Sequence, residues 1–391
     1  MITASPSRVS GQLKTDEMII NMGPQHPATH GVLRLILTLD GEIVRHVEPV
    51  IGHLHRAQEW QGQNRTWFQY QALIDRVDYL SGMFTSWALC RVAERVEGMQ
   101  IPLRAEYLRV IVSEMNRITS HLLWLATYLI DLGALYGFPF YPFREREKLF
   151  ELFEAIAGQR MMFNYIRIGG VLRCPTPLWF KRLKEFTQEF PQRVDEYEAI
   201  VTKNPIFLNR TKGVGKMSKE LAMAYGVTGP CLRASGINYD LRKFMPYSVY
   251  DRLKFAVPVM EEGDTWARYV CRIREMRESN EIIKQCLEQI PGGVTEDTRE
   301  KLDGDMAIMT KKQTAGLRVK AGEGFEAIES PRGTLGGYIV STGGDTAYRF
   351  KWRNPSFSNL SILPELLAGH PIADVMAIFG SLDIILPDVD R

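Results

Sequence analysis

The chain has 391 residues, 45% of them hydrophobic and 24% charged, which allows a large core and one or two domains and excludes a disordered protein. Its 48 basic and 46 acidic residues leave a net charge of +2, so no overall field draws it to nucleic acid or anionic lipid, and there is no aromatic-interleaved basic stripe. The five cysteines (Cys90, Cys174, Cys231, Cys271 and Cys286) are scattered, with no C-x-x-C or Cys/His cluster. That spacing argues against a metal held by this chain and suits buried thiols in a reducing compartment.

Residues 1–17 read as a polar arm without the apolar core of a signal peptide. Next comes NMGPQHPATHGVLRLILTLD, Asn21 to Asp40, in which Pro24, Pro27, Gly23 and Gly31 stiffen a loop that presents His26 and His30. On this stretch alone the two histidines also read as ordinary turn residues bonded to nearby backbone. Leu33, Leu35, Leu37 and Leu39 alternate with polar or smaller positions, and Asp40-Gly41 is a hairpin signal, so a β-hairpin is expected over 32–50.

A helical core is expected over about 54–290. His53 to Val96 reads as mixed-polarity helical segments. From Arg104 to Asp131 the apolar positions Leu108, Ile111, Met115, Ile118, Leu122, Leu125 and Leu129 form one seam of a long helix. One residue back lies a second stripe, Glu114, Arg117, His121, Trp124, Tyr128 and Asp131, rotated by about 100°. Buried charge is costly unless paired or functional. Glu114 and Arg117 are therefore expected in an internal ion-pair network, while Asp131, isolated in an apolar run, leans towards function.

Residues 122–143 carry a single formal charge, but Asp131, Gly133, Gly137, Pro139 and Pro142 argue for a buried helix end and an apolar loop instead of a membrane span. Helix resumes over Arg144 to Met162 and again over Leu178 to Val201, with a break at Ile168-Gly169-Gly170 and a stop at Asn204-Pro205. GVGKMSK in the glycine-punctuated stretch 213–236 is neither a phosphate loop nor a dinucleotide fingerprint. A second core helix starts from Asp264 as N-cap and ends at Pro291-Gly292-Gly293. Residues 292–324 read as a variable connection, and 325–391 as a β/helical part with strands at GGYIVS and YRFKW, short helices around Pro371 and a polar tail, PDVDR.

Taken together, GPQHPATHG, VDYL, SHLLWL, LDLGA, FREREK, GQRMMFNYIRIGG, LRASGINYDLRK, RIREMRES and the terminal DVDR resemble one family over 18–391. It is the quinone-site peripheral subunit of respiratory complex I, the D-type subunit of NADH:quinone oxidoreductase, related to the large subunit of nickel-iron hydrogenases. The resemblance implies an α+β fold: a predominantly helical bundle core with small flanking antiparallel sheets, in one hydrogenase-large-subunit-like domain. The hydrogenase relatives hold metal through two C-x-x-C pairs, and the positions that look aligned here are Asp78 and Ser81, then Ile385 and Asp388. With no thiolate left, a soft-ligand nickel-iron centre is excluded and the cavity is open to another ligand.

The resemblance places a quinone headgroup in that cavity, with His30 and Tyr79 as its hydrogen-bonding and proton-donating groups and Asp131 as the partner of His30. A phenol and an imidazole suit a reaction that adds two electrons and two protons to a pair of carbonyl oxygens. Arg76, three positions before Tyr79 and expected on the same helical face, resembles the arginine beside the neighbouring subunit's iron-sulfur cluster. Implied partners are an iron-sulfur subunit that carries the terminal cluster, a C-type peripheral subunit and an H-type membrane subunit at the quinone channel. Quinone is the implied substrate, the chain itself holding no metal or flavin. The implied location is the cytoplasmic side of the plasma membrane, or the matrix or stromal side in an organelle. His53 and Met162 depart from the usual tyrosine and histidine of the family. The same role in a ferredoxin-driven relative, or a silent scaffold between redox and membrane arms, are the alternative readings.

Overall fold

In the computed structural model, which describes residues 17–24, 31–133, 137–294 and 316–391, the seam beginning at residue 103 becomes a single helix, α4. Before it come β1 (Glu17–Met22), β2 (Arg34–Asp40), β3 (Ile43–Val50), α1 (Gln58–Asn64), α2 (Trp67–Ile74) and α3 (Gly82–Glu97). α4 spans Leu103–Asp131, 29 residues, and every seam position from Leu108 to Leu129 is buried. Gly133, at φ 64°, takes the left-handed backbone that ends the run.

After α4 follow α5 (Phe140–Ala157), β4 (Ile166–Arg167), β5 (Gly170–Val171), α6 (Pro177–Tyr197), α7 (Pro205–Thr211), α8 (Lys219–Ala224), α9 (Pro230–Ala234), α10 (Leu241–Phe244) and α11 (Thr265–Gln289). α5 starts at Phe140, four residues before the expected Arg144, because Pro139 is its N-cap and Pro142 falls in its first turn, where missing N–H groups cost nothing. The Ile168-Gly169-Gly170 break is a tight hairpin joining β4 to β5. Asp264 caps α11 as expected, accepting from the Ala267 N–H at 2.8 Å.

α4 packs along α11, with α3, α5 and α6 around the pair, so the axis is a helical bundle. Three small antiparallel sheets flank it: β1-β2-β3, β4-β5, and a C-terminal sheet of β6 (Gly322–Ser330), β7 (Gly333–Ser341) and β8 (Arg349–Arg353). The expected hairpin pairs Asp40 with Ile43 and gains a third strand because Glu17–Met22 lies against β2. Leu35, Leu37 and Leu39 face a second apolar core made with Leu360, Leu363, Phe379 and Leu386 of the C-terminal helices. β6 begins at Gly322, within the stretch read as connection, where interspersed glycines hide the strand alternation. The PDVDR tail is no surface tail: Leu386–Asp390 forms a buried terminal turn of helix. Among the described residues no helix is long and apolar enough to cross a membrane.

The polar stripe of α4 is bonded from all sides. Glu114 accepts from Arg117 Nε (3.0 Å), Arg242 Nη1 (3.1 Å), the Tyr250 hydroxyl (2.6 Å) and the Ser279 hydroxyl (2.6 Å). His121 Nε2 lies 2.9 Å from Glu275, whose other oxygen pairs with Arg233. Arg233 also reaches Glu329 at 2.7 Å and Asp240 at 3.7 Å. Arg117 and Arg242 beside Glu114 overcome its burial and hold its carboxyl down at about 2. Arg233 holds Glu275 further below the usual range. Burial keeps His121 neutral, its value pushed down to about 4. The network expected for Glu114 and Arg117 therefore ties α4, α10, α11 and β6 together.

Candidate functional site

α2 stops at Ile74, and the chain then turns twice, through Val77 N to Ile74 O (3.0 Å) and Ser81 N to Asp78 O (3.1 Å). The expectation that Arg76 and Tyr79 share a helical face is thereby corrected, since both lie in the link between α2 and α3. The cause is local: Asp78 Oδ1 accepts from the Leu80 and Ser81 N–H groups at 3.2 and 3.1 Å, an aspartate turn that competes with helix. Asn116 of α4 clamps this link, donating to Leu80 O at 2.9 Å and accepting from Met83 N at 3.2 Å. Arg76 is left exposed, its guanidinium touching Ala72 O at 3.2 Å. Tyr79 is half-buried.

Behind Tyr79 lies Arg332, which the sequence reading did not single out. Its side chain is fully buried and reaches four places in the chain. Nη1 donates to Asp78 Oδ2 at 2.8 Å and Ser81 Oγ at 3.3 Å, while Nη2 donates to Ser120 Oγ at 3.1 Å and Asp383 Oδ1 at 3.4 Å. Ser81 also bonds Asp78 directly. Arg272 of α11, stacked over Trp124 at 4.4 Å, approaches Asp383 at 3.9 Å. Asp388 completes the group from the terminal helix, its Oδ2 accepting from the Ser356 N–H at 3.0 Å. Asp78 and Ser81 thus meet at the guanidinium, and Asp388, 310 residues from Asp78 in sequence, lies within its electrostatic reach and that of Asp78.

The backbone that carries Arg332 is locked. It sits at the β6–β7 turn, its carbonyl bonded by Asn359 Nδ2 at 3.1 Å. A Cβ on Gly229 (φ 73°) would fall 2.5 Å from that carbonyl oxygen and 2.6 Å from Gly333 Cα. Gly333 itself adopts φ 134°, against Thr228. These glycines are needed for close approach of two backbones.

Electrostatics divide the group. Burial pushes the Tyr79 phenol up to about 12, with the Arg332 charge partly opposing, so the hydroxyl keeps its proton at neutral pH. Burial also raises Asp383 to about 6, against the pull of Arg332 and Arg272. Asp388 rises to about 7, first through burial and then through the negative charge of Asp78. Three carboxylates lie among Arg332, Arg272 and Arg353, and a phenol shares the field of Asp78, Asp383 and Arg332. Such an arrangement can donate a hydrogen bond, give up a proton and stabilise the anion that remains.

The other expected site residues are distributed differently. His26 and His30 lie outside the described residues. Their neighbour Gly31 packs on the terminal helix, where a Cβ would fall 2.7 Å from Leu386 Cβ and 2.8 Å from Leu54 Cδ1. Leu33 N bonds Pro24 O at 2.9 Å and closes the base of that loop. Asp131 ends α4, half-buried, eleven residues beyond Ser120 and so about 16 Å further along the axis. The Tyr79 cluster and Asp131 are therefore two places on one helix. His53 is exposed, and Met162 takes a left-handed backbone, φ 57°, beside Asn164, whose N–H bonds the buried Asp75 at 2.8 Å.

Comparison with known proteins supplies the family. Residues 131–391 match the family described as respiratory-chain NADH dehydrogenase, 49 Kd subunit. The chain is 49% identical to an NADH-quinone oxidoreductase D-subunit (number 2) of Koribacter versatilis, over 99% of this chain and 98% of that one. It is 46% identical to the NAD(P)H-quinone oxidoreductase H-subunit of Thermosynechococcus vestitus, over 97% and 99%. To the NADH-quinone oxidoreductase D-subunit of Bacillus mycoides it is 45% identical, over 97% and 100%. Identity at this level along the whole length, on a bundle flanked by small sheets as the resemblance implied, leaves one assignment: the chain belongs to the 49 kDa subunit family of respiratory-chain NADH dehydrogenase and is a subunit of an oxidoreductase complex.

Proposed function

We propose that this chain forms the quinone headgroup site of a proton-translocating, multi-subunit quinone oxidoreductase, with Tyr79 as a donor to one quinone carbonyl. The observation that carries the reading is the half-buried phenol within the electrostatic reach of the buried Arg332 cation. Electrons arrive from the terminal iron-sulfur cluster of a partner subunit, past the exposed Arg76. As charge develops on the quinone oxygen, Tyr79 first donates its hydrogen bond and then its proton. The resulting phenolate is stabilised by the Arg332 cation. His30 serves the second carbonyl and Asp131 is its charge partner, which carries the effect of turnover along α4 towards the membrane arm.

The donor to the whole complex is the open variant of this reading. Relatives named for NADH and for NAD(P)H match at 49% and 46% identity, so both branches fit. A silent scaffold is disfavoured by the built cluster around Tyr79. A C-type peripheral subunit, an iron-sulfur subunit and an H-type membrane subunit are the proposed neighbours, on the cytoplasmic, matrix or stromal face.

The test is Tyr79→Phe in the assembled complex. The expected result is normal assembly with quinone reductase turnover lowered about 100-fold, the scale of a lost proton donor. Parental turnover with the natural quinone would overturn the donor role.

A further inference from the structure

Tyr79 sits between two anchored residues. On one side Asp78 accepts from Arg332 Nη1 at 2.8 Å, and the same guanidinium donates its Nη2 to Ser120 Oγ of α4 at 3.1 Å. On the other side the Leu80 carbonyl accepts from Asn116 Nδ2 of α4 at 2.9 Å. Asn116 and Ser120 are four residues apart, hence on one face of α4 and about 6 Å apart along its axis. The tripeptide that carries the phenol is thus mounted at both ends on one turn of α4, at Leu80 directly and at Asp78 through Arg332. The stretch before it is held by α2 instead, with the Arg76 N–H bonded to Leu73 O at 3.2 Å and the Val77 N–H to Ile74 O at 3.0 Å.

The buried Asn116 amide is used entirely on this mount. Ser81, the N-cap of α3, makes no capping bond, because its hydroxyl goes to Asp78. Asn116 Oδ1 takes that role from another helix, accepting from the Met83 N–H at 3.2 Å, so one side chain joins the end of the link to the start of α3. Its second amide hydrogen goes to Thr119 Oγ1 at 3.2 Å, and the Thr119 hydroxyl donates to Asn116 O at 2.9 Å. With its hydrogen given to the backbone, that hydroxyl can only accept from the amide, which fixes the end that faces Leu80 as the nitrogen. Asparagine is a poor helix former and its amide is costly to bury without partners, so packing α4 against its neighbours would call for an apolar residue at 116.

We infer that Asn116 is a positioning residue for the quinone reaction: it fixes the Leu80 peptide and the start of α3, and through them the point from which the Tyr79 hydroxyl meets the quinone. This rests on the reading of Tyr79 as donor. Asn116 acts only through Tyr79. Without its amide the Asp78 end is still held by Arg332, so the phenol stays in the site but turns about the anchor that remains. A reacting group misplaced by about 1 Å can cost up to about 100-fold in rate.

The experiment is a double-mutant cycle of Asn116→Ala and Tyr79→Phe, with turnover of the natural quinone counted per assembled complex so that losses of assembly do not enter. Asn116→Ala is expected to lower kcat about 10-fold and to change the quinone KM by less than about 2-fold. In the Tyr79→Phe background the same substitution is expected to cost less than about 2-fold, because the hydroxyl it aims is gone. A residue that only stabilised the fold would give the same fold-loss in both backgrounds. Thr119→Val keeps the size of its side chain and removes the oxygen that orients the amide, and it serves should Asn116→Ala fail to assemble. It is expected to lower kcat about 3-fold, again only where Tyr79 keeps its hydroxyl. Parental kcat in the single variant, or equal fold-losses with and without the Tyr79 hydroxyl, would overturn the inference and leave the donor reading standing. Full turnover in Tyr79→Phe alone overturns the donor reading, and the inference with it.

Discussion

Two groups of buried charge lie on neighbouring faces of α4, one around Glu114 and Glu275 and one around Arg332, and they treat their carboxylates in opposite ways. In the first, arginines surround the acids from several elements, so Glu114 and Asp240 are held down at about 2. Glu329, which shares Arg233 with Glu275 and Asp240, is the exception and is pushed up by burial. In the second, burial outweighs the pull of the arginines and Asp383 and Asp388 are raised. The first group fixes charge for architecture. The second leaves two raised carboxyls in the neighbourhood of a half-buried phenol. Burial of polar groups alone does not mark a candidate site; carboxyls that stay raised despite nearby arginines, beside an accessible donor, do.

Arg233→Met should break the contrast most severely. It removes the arginine from Glu275 and Glu329 and a second one from Asp240, which keeps Arg242, and a loss of about 3–5 kcal/mol is expected from stranding buried charge. Arg332→Met should cost less below about pH 6, because Asp383 and Asp388 accept protons there, and more as the pH rises. Denaturation of the two purified variants across pH, with recovery of assembled complex as a second readout, compares them directly. Equal, pH-independent losses would erase the distinction.

The next effect is the pH dependence of the parent. Asp388 holds a proton up to about 7 when folded but releases it near the ordinary aspartate value when unfolded. The native chain binds the extra proton between those limits, so this group's contribution to stability falls as pH rises through the window and levels off above it. Glu114 works the other way: its contribution is present above the ordinary glutamate value and is lost as pH falls towards about 2. Each group can contribute a slope of at most about 1.4 kcal/mol per pH unit. Asp388→Asn should flatten the near-neutral part of the stability curve and leave the acid limb in place. The smallest effect belongs to the exposed pair of Arg45 with Asp40, where Arg45→Ala should change stability by less than about 0.5 kcal/mol and leave turnover alone.

Much of the scaffold was legible because long seams constrain themselves. Seven apolar positions from Leu108 to Leu129 specify a helix whatever surrounds them, and the stripe beside them announced buried ion pairs. The link from Arg76 to Tyr79 was misread as helix because Asp78, by bonding its own neighbours' N–H groups, outweighs the helical tendency around it. Arg332 and Asp383 were missed for a different reason. Arg332 follows a proline at a hairpin tip, where a charged residue ordinarily faces water, and only the convergence of Asp78, Ser120 and Asp383 turns it inward. No local pattern encodes such a meeting. Asp78, Ser81 and Asp388 were legible through the family resemblance alone, as positions from which thiolates are missing.

Gly229 and Gly333 carry a lesson about where variation in this chain can do harm. Neither has a side chain to bind, donate or pack, yet the two backbones touch where Arg332 leaves the sheet, and even a methyl group has no room. Replacing either one would dislodge the guanidinium as effectively as replacing the arginine. A tally of harmful substitutions sorted by chemical type would file both as innocuous, although they fix the aim of the charge that faces the phenol.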